Sequence, residues 1–333
     1  MTEGEDSGTI GAMSYRDFQE LFGQGRYQEA ARYAEQETQK EPGSGHFWLT
    51  QQAKALIRLS DYRNALELAG RALALEPGNP FAVAVTADAL QGLERLEEAL
   101  PRFEELLRSP RLQEKGRKGT LECLGGLRRW SEALERLAAW GLPEGQALPW
   151  QVKALSGLAR YEEALECCRR WLELKPHHPP ALWARTELEV HAQGLPATLE
   201  TMGRLARIPS LPGIYREIYA SLSRKAGRPE EAMKAYEQIG AQGEQARIQK
   251  QKAFTLAKSG REAEAIALLE ELLKLEPKDR YLHASYAAAC KRVGELERAI
   301  NFYNQLLGRH PEERSLYGRI KGLQKKLAEG QRP

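Results

Sequence analysis

The chain has 333 residues, 42% hydrophobic and 29% charged, with 49 basic against 46 acidic side chains and a net charge of +3. That composition excludes a chain too polar to fold, and the near-neutral balance argues against capture of a polyanion by bulk charge. No run approaches the roughly 18 apolar residues of a membrane span. The opening MTEGEDSGTIGAMSY lacks the basic and apolar regions of a secretory signal, so a cytoplasmic protein is expected.

In chain order, residues 1–12 are acidic, glycine-bearing and aperiodic, and a disordered tail is expected there. From Met13 one pattern recurs: a short turn, an amphipathic helix and a stop. It reads GRYQEAARYAEQETQKEP over 25–42, SDYRNALELAGRALALEP over 60–77 and ARYEEALECCRRWLELKP over 159–176. Apolar residues fall at helical spacing, glutamates fill the first turns where they suit the helix dipole, and proline closes the segment. Aligned on the small residue after the turn, the copies fall at Ala30, Ala65, Ala99, Ala133, Ala164, Leu199, Ala232, Ala265 and Ala299. The steps are 35, 34, 34, 31, 35, 33, 33 and 34 residues, a period that means stacked helix pairs.

The unit resembles the tetratricopeptide repeat in period and pattern. The crossing alanines Ala53, Ala65, Ala87 and Ala99, the turn residues Tyr27, Tyr62, Leu96, Trp130, Tyr161 and Leu296, and the closing prolines Pro42, Pro77, Pro176, Pro277 and Pro311 carry the resemblance. It implies an all-α fold, a right-handed solenoid of antiparallel helix pairs. Nine repeats are expected, over 13–45, 46–79, 80–113, 114–144, 145–179, 180–212, 213–245, 246–279 and 280–311. A final amphipathic helix over 312–329, with Leu316, Ile320, Leu323 and Leu327 on its apolar stripe, is expected to cap the array. Two repeats depart from the pattern. The sixth has Leu199 and Pro196 where alanine and an aromatic belong; the fourth is short, and Pro149 is expected to open the helix that follows it.

Catalytic motifs are missing. The six histidines form no HExxH, and His177-His178 in a Pro-His-His-Pro-Pro turn reads as a solvated loop. There is no GxGxxG, no phosphate-binding glycine loop and no GxSxG elbow. The cysteines Cys123, Cys167, Cys168 and Cys290 make no CxxC pair, and they read as structural thiols that need neither metal nor disulfide. A non-catalytic protein without a cofactor is expected.

In the resembled family the first helix of each repeat lines a concave surface. With the crossing alanine as position 20, positions 2, 5, 6, 9, 12 and 13 should face it. They hold fourteen basic residues: Arg16, Lys54, Arg58, Lys115, Lys118, Lys153, Arg185, Arg224, Lys225, Arg247, Lys250, Lys258, Lys291 and Arg292. The acidic residues there are Asp88, Glu122 and Glu217, so this set balances at +11 and the rest of the chain at −8. Phe47, Phe81, Trp150, Phe254 and Tyr281 add aromatic anchors. The expectation is a scaffold binding an acidic or extended protein segment in a basic groove. The alternative is single-stranded RNA or another polyanion in the same groove. No asparagine stands in the set, which argues against the family's carboxylate-clamp subtype. Self-association through an end unit is left open.

Overall fold

The computed structural model describes residues 10–40, 42–239, 245–311 and 313–330, with side chains from 15 onward except those at 42, 245 and 330. Among the described residues there are nineteen α-helices and no strand. Two compact units divide the chain, Met1–Ala164 and Leu165–Pro333.

The first unit holds the hairpins α1 (Ile10–Gly23) with α2 (Tyr27–Lys40), α3 (Gly45–Arg58) with α4 (Tyr62–Leu75), α5 (Pro80–Gly92) with α6 (Leu96–Glu105), and α7 (Gln113–Gly126) with α8 (Trp130–Trp140), followed by α9 (Glu144–Gly157). Helix α10 (Tyr161–Leu174) starts at its end. The second unit continues with α11 (Pro179–Gln193) and α12 (Leu195–Ala206), α13 (Ile214–Lys225) and α14 (Pro229–Glu237), α15 (Gln245–Lys258) and α16 (Glu262–Leu275), and α17 (Arg280–Val293) and α18 (Leu296–Arg309), ending in α19 (Ser315–Gly330). Within each unit sequential helices pack together, and so do first helices of adjacent hairpins: α3 on α5, α5 on α7, α11 on α13, α15 on α17. Contacts limited to neighbours are the mark of a solenoid. Of the expected tail, residues 1–9 lie outside the described residues, while 10–12 belong to the first turn of α1.

The hairpins share one turn device. Five residues before every crossing residue the backbone has positive φ: Gly25, Ser60, Glu94, Arg128, Ala159, Gly194, Gly227, Gly260 and Gly294. In most of them the next N–H reaches back to close a Schellman motif, as in Asp61 N to Leu56 O at 2.9 Å and Arg160 N to Leu155 O at 2.9 Å. Non-glycine residues pay for this conformation through crowding at Cβ. Ala159, exposed and at φ 57°, is the clearest case. Ala159→Gly is expected to raise stability by about 0.5–1 kcal/mol, the left-handed strain relieved less glycine's greater unfolded entropy. A higher urea midpoint checks it; a lower one contradicts it. The sixth turn differs. Gly194 has ψ 160°, and α12 starts directly at Leu195 with Pro196 in its first turn, where its missing N–H costs no intrahelical bond.

The crossing residues are buried in every hairpin, Leu199 included. Turn residues pack across the seam onto the next hairpin, where glycine makes room. A Cβ on Gly92 would lie 2.4 Å from the Tyr62 ring, and one on Gly157 would lie 2.4 Å from that of Trp130. Leu316, Ile320 and Leu323 of α19 bury in the same cluster as Phe302, Tyr303 and Leu306 of α18. The expectation for Pro149 was wrong: Pro143 already caps the helix, α9 begins at Glu144, and Pro149 sits in its second turn.

All four cysteines are buried. Burial pushes the thiols of Cys123 and Cys290 up to about 11 and that of Cys168 up to about 12, so thiolate is scarce at neutral pH. Native protein at neutral pH is expected to resist a disulfide thiol reagent that titrates all four residues after denaturation; fast native labelling of any one would contradict this. His177 is not purely solvated, because its Nδ1 lies 2.9 Å from the Tyr215 hydroxyl.

Candidate functional site

The first-helix residues fall into three groups once their partners are known. One group is tied up in ion pairs. In the first unit Lys115 meets Asp88 at 2.5 Å and Lys118 meets Glu122 at 3.8 Å. In the second, Arg185 bonds Glu189 at 2.7 Å, Arg247 forms a two-pronged pair with Glu217, and Lys250 holds Glu276 at 2.5 Å and Asp279 at 2.8 Å. Donating to the Asp279 and Glu276 carboxylates holds the Lys250 ammonium above its usual value. Glu189, Glu276 and Asp279 stand outside the six positions counted from the sequence, so the charge of the second unit's face is lower than that count implied.

A second group occupies the seam. Position 13 looks back onto the preceding turn, where glycine receives the turn residue or a long cation covers it. Arg58 donates to the Tyr27 hydroxyl at 3.0 Å and lies 5.2 Å from the ring centre. Arg292 bonds Glu262 at 2.9 Å and the Ala257 carbonyl. Lys225 and Lys258 hold the same register and are exposed. Phe254 packs against the buried core of the second unit, which makes it a packing residue before anything else.

The third group has no acidic partner among the described residues: Arg16, Lys54 and Lys153 in the first unit, and Arg224 and Lys291 in the second. Lys153 lies 5.3 Å from the centre of the Trp150 ring, and Trp150 is itself half-buried against the core. Lys54 lies 5.0 Å from the Phe22 ring centre. Burial, with Lys115 nearby, holds its ammonium below the usual lysine value.

Lys54 also lines a cavity of ≈ 420 Å³ on the first-helix face of α3, α5 and α7. Its walls include Phe47, Phe81, Val85, Asp88 and Lys115. Phe81 is 48% exposed, a large apolar surface to leave in water beside a cation that has no acidic partner. Gln51 lines it too, and its buried side-chain oxygen has no hydrogen-bond partner. Burial pushes the Asp88 carboxyl up against the pull of Lys115. Sequence reading found Lys54, Lys115 and Phe81 separately. It missed that three successive first helices bring them to one cavity, for which only the shared register was a signal. Among the described residues no three His, Cys, Asp or Glu side chains are placed to hold a metal ion, and no helix is long and apolar enough to cross a membrane.

Residues 209–316 match the family model described as tetratricopeptide repeat. No curated protein sequence matches the chain. Among solved structures, a tetratricopeptide repeat protein from Parabacteroides merdae is 14% identical, with a TM-score of 0.52 over 73% of this chain and 99% of that one. MamA from Desulfovibrio magneticus is 18% identical, with a TM-score of 0.33 over 60% of this chain and 94% of that one. The first of these likenesses is one of fold. The chain thus carries tetratricopeptide repeats, matched as such over 209–316, within a succession of helix pairs of the same build.

Proposed function

We propose that the protein is a non-catalytic interaction scaffold that binds an acidic, extended protein segment on its first-helix face, anchored in the cavity around Lys54 and Phe81. The observation that carries this reading is the pairing of a lysine lacking an acidic partner with a half-exposed phenylalanine in one cavity. A carboxylate entering there restores the charge balance of Lys54, and an apolar side chain covers Phe81. Because Lys54 must be protonated to bind, affinity falls as pH rises through its lowered pKa, earlier than for an ordinary lysine. Rising salt weakens the encounter as well.

Selection of a random-peptide display library on the full chain tests the reading. Enriched segments are expected to carry an apolar residue next to Asp or Glu, and Lys54→Glu with Phe81→Ala is expected to weaken them by about tenfold or more with little loss of stability. Enrichment of basic segments, or binding indifferent to both substitutions, overturns it.

A further inference from the structure

The second unit contains a larger cavity, ≈ 900 Å³, between the second helices α12 and α14. It lies where the sixth repeat departs from the pattern, and both irregular residues, Pro196 and Leu199, line it. Its floor is built from small residues. Gly203 of α12 lets Tyr219 of α13 approach so closely that a Cβ there would stand 3.0 Å from the ring. Ala206 and Ala235 keep the walls low. The Tyr219 hydroxyl donates to Glu231 at 2.7 Å, which fixes the ring across the bottom.

The charges around this floor do not cancel. Arg228 and Glu231 pair at 3.5 Å. That leaves Arg204, Arg207 and Lys234 facing the cavity with Glu200 as the remaining carboxylate. None of the three cations has an acidic partner among the described residues. Arg204 on α12 and Arg207 at its C-cap, still in helical conformation, are three residues apart and share a face, while Lys234 comes from α14 on the other side. Like charges gathered on a concave surface repel one another and raise the local potential. A single carboxylate would leave the excess half neutralised. Two negative charges on one compact group would match it, and guanidinium forks suit the oxygens of such a group.

We propose that this cavity binds a phosphomonoester dianion. The same chemistry is offered by a phosphorylated protein side chain and by a small phosphorylated compound. The site shares no residue with the cavity around Lys54, so the two readings stand or fall separately.

Calorimetric titration of the full chain distinguishes the sources. The titrants are free O-phosphoserine, a short glycine–alanine peptide carrying one phosphoserine, and the same peptide without phosphate. Both phosphorylated probes are expected to bind, and Arg204→Gln with Arg207→Gln is expected to weaken them by about tenfold or more. Tighter binding of the phosphopeptide than of free phosphoserine identifies a protein segment as the source; equal binding identifies a small compound. Because both arginines are exposed and lack partners, the variant's melting temperature should match the parent's, which separates loss of binding from loss of fold. No binding of either phosphorylated probe, equal binding of the unphosphorylated peptide, or affinity unchanged in the double variant overturns the proposal.

Discussion

Trp48→Ala is expected to cost about 3–5 kcal/mol, the range for truncating a fully buried aromatic. Trp48 is 1% exposed. Its ring meets Phe47, Tyr33 and Phe18 edge-on, at centroid distances of 5.1, 6.1 and 6.5 Å. It therefore joins α1, α2 and α3, and no neighbour can move in without giving up contacts of its own. Stability in a repeat array is a sum of local terms, so the loss should be local. Urea denaturation followed by circular dichroism should split into an early transition for the first hairpins and a later one for the rest, with proteolysis beginning before α4. Tyr317→Ala, at a 58% exposed site, should shift nothing by more than about 0.5 kcal/mol. A uniform, small shift for Trp48→Ala would contradict the aromatic junction.

The second large effect is expected at the Arg247–Glu217 pair. Glu217 lies on α13 with its side chain 7% exposed, and Arg247 reaches it from α15 with about half its surface in solvent. Removing the cation leaves a nearly buried carboxylate without compensation. A fully buried pair would cost about 3–5 kcal/mol to break, and water at the arginine reduces this to about 1–3 kcal/mol. Arg247→Met should show that loss, and adding Glu217→Leu should recover most of it, because two apolar residues fill the site without a charge to desolvate. Additive losses in the double variant would mean the pair is not coupled. This result also bears on function, since a residue engaged in holding α13 to α15 is poorly placed to seize a ligand.

The repeat register was legible because it rests on local chemistry: small residues where helices cross, glutamates in first turns, and prolines that cannot continue a helix. Ala30 through Ala299 mark it, and even Leu199 keeps its buried place. The turns were less legible. Ser60, Glu94, Arg128 and Ala159 adopt the backbone that glycine adopts in most of the other hairpins, and nothing in those side chains announces it. The candidate site was legible only as a list of cations. Whether a cation is available depends on acids brought near by folding, and Glu276 and Asp279 reach Lys250 from more than twenty residues away. Position 13 misled for a related reason: one register slot serves as a seam, filled by Gly92 in one hairpin and by Arg58 in another.

The proposed function puts binding on the first-helix face around Lys54. Lysine-reactivity footprinting of the full chain, with and without a segment selected as above, tests it most directly. Lys54 is expected to lose reactivity on binding while Lys321, Lys325 and Lys326 on the exposed side of α19 keep theirs. Unchanged reactivity at Lys54, with protection confined to lysines on second helices or on α19, would contradict it.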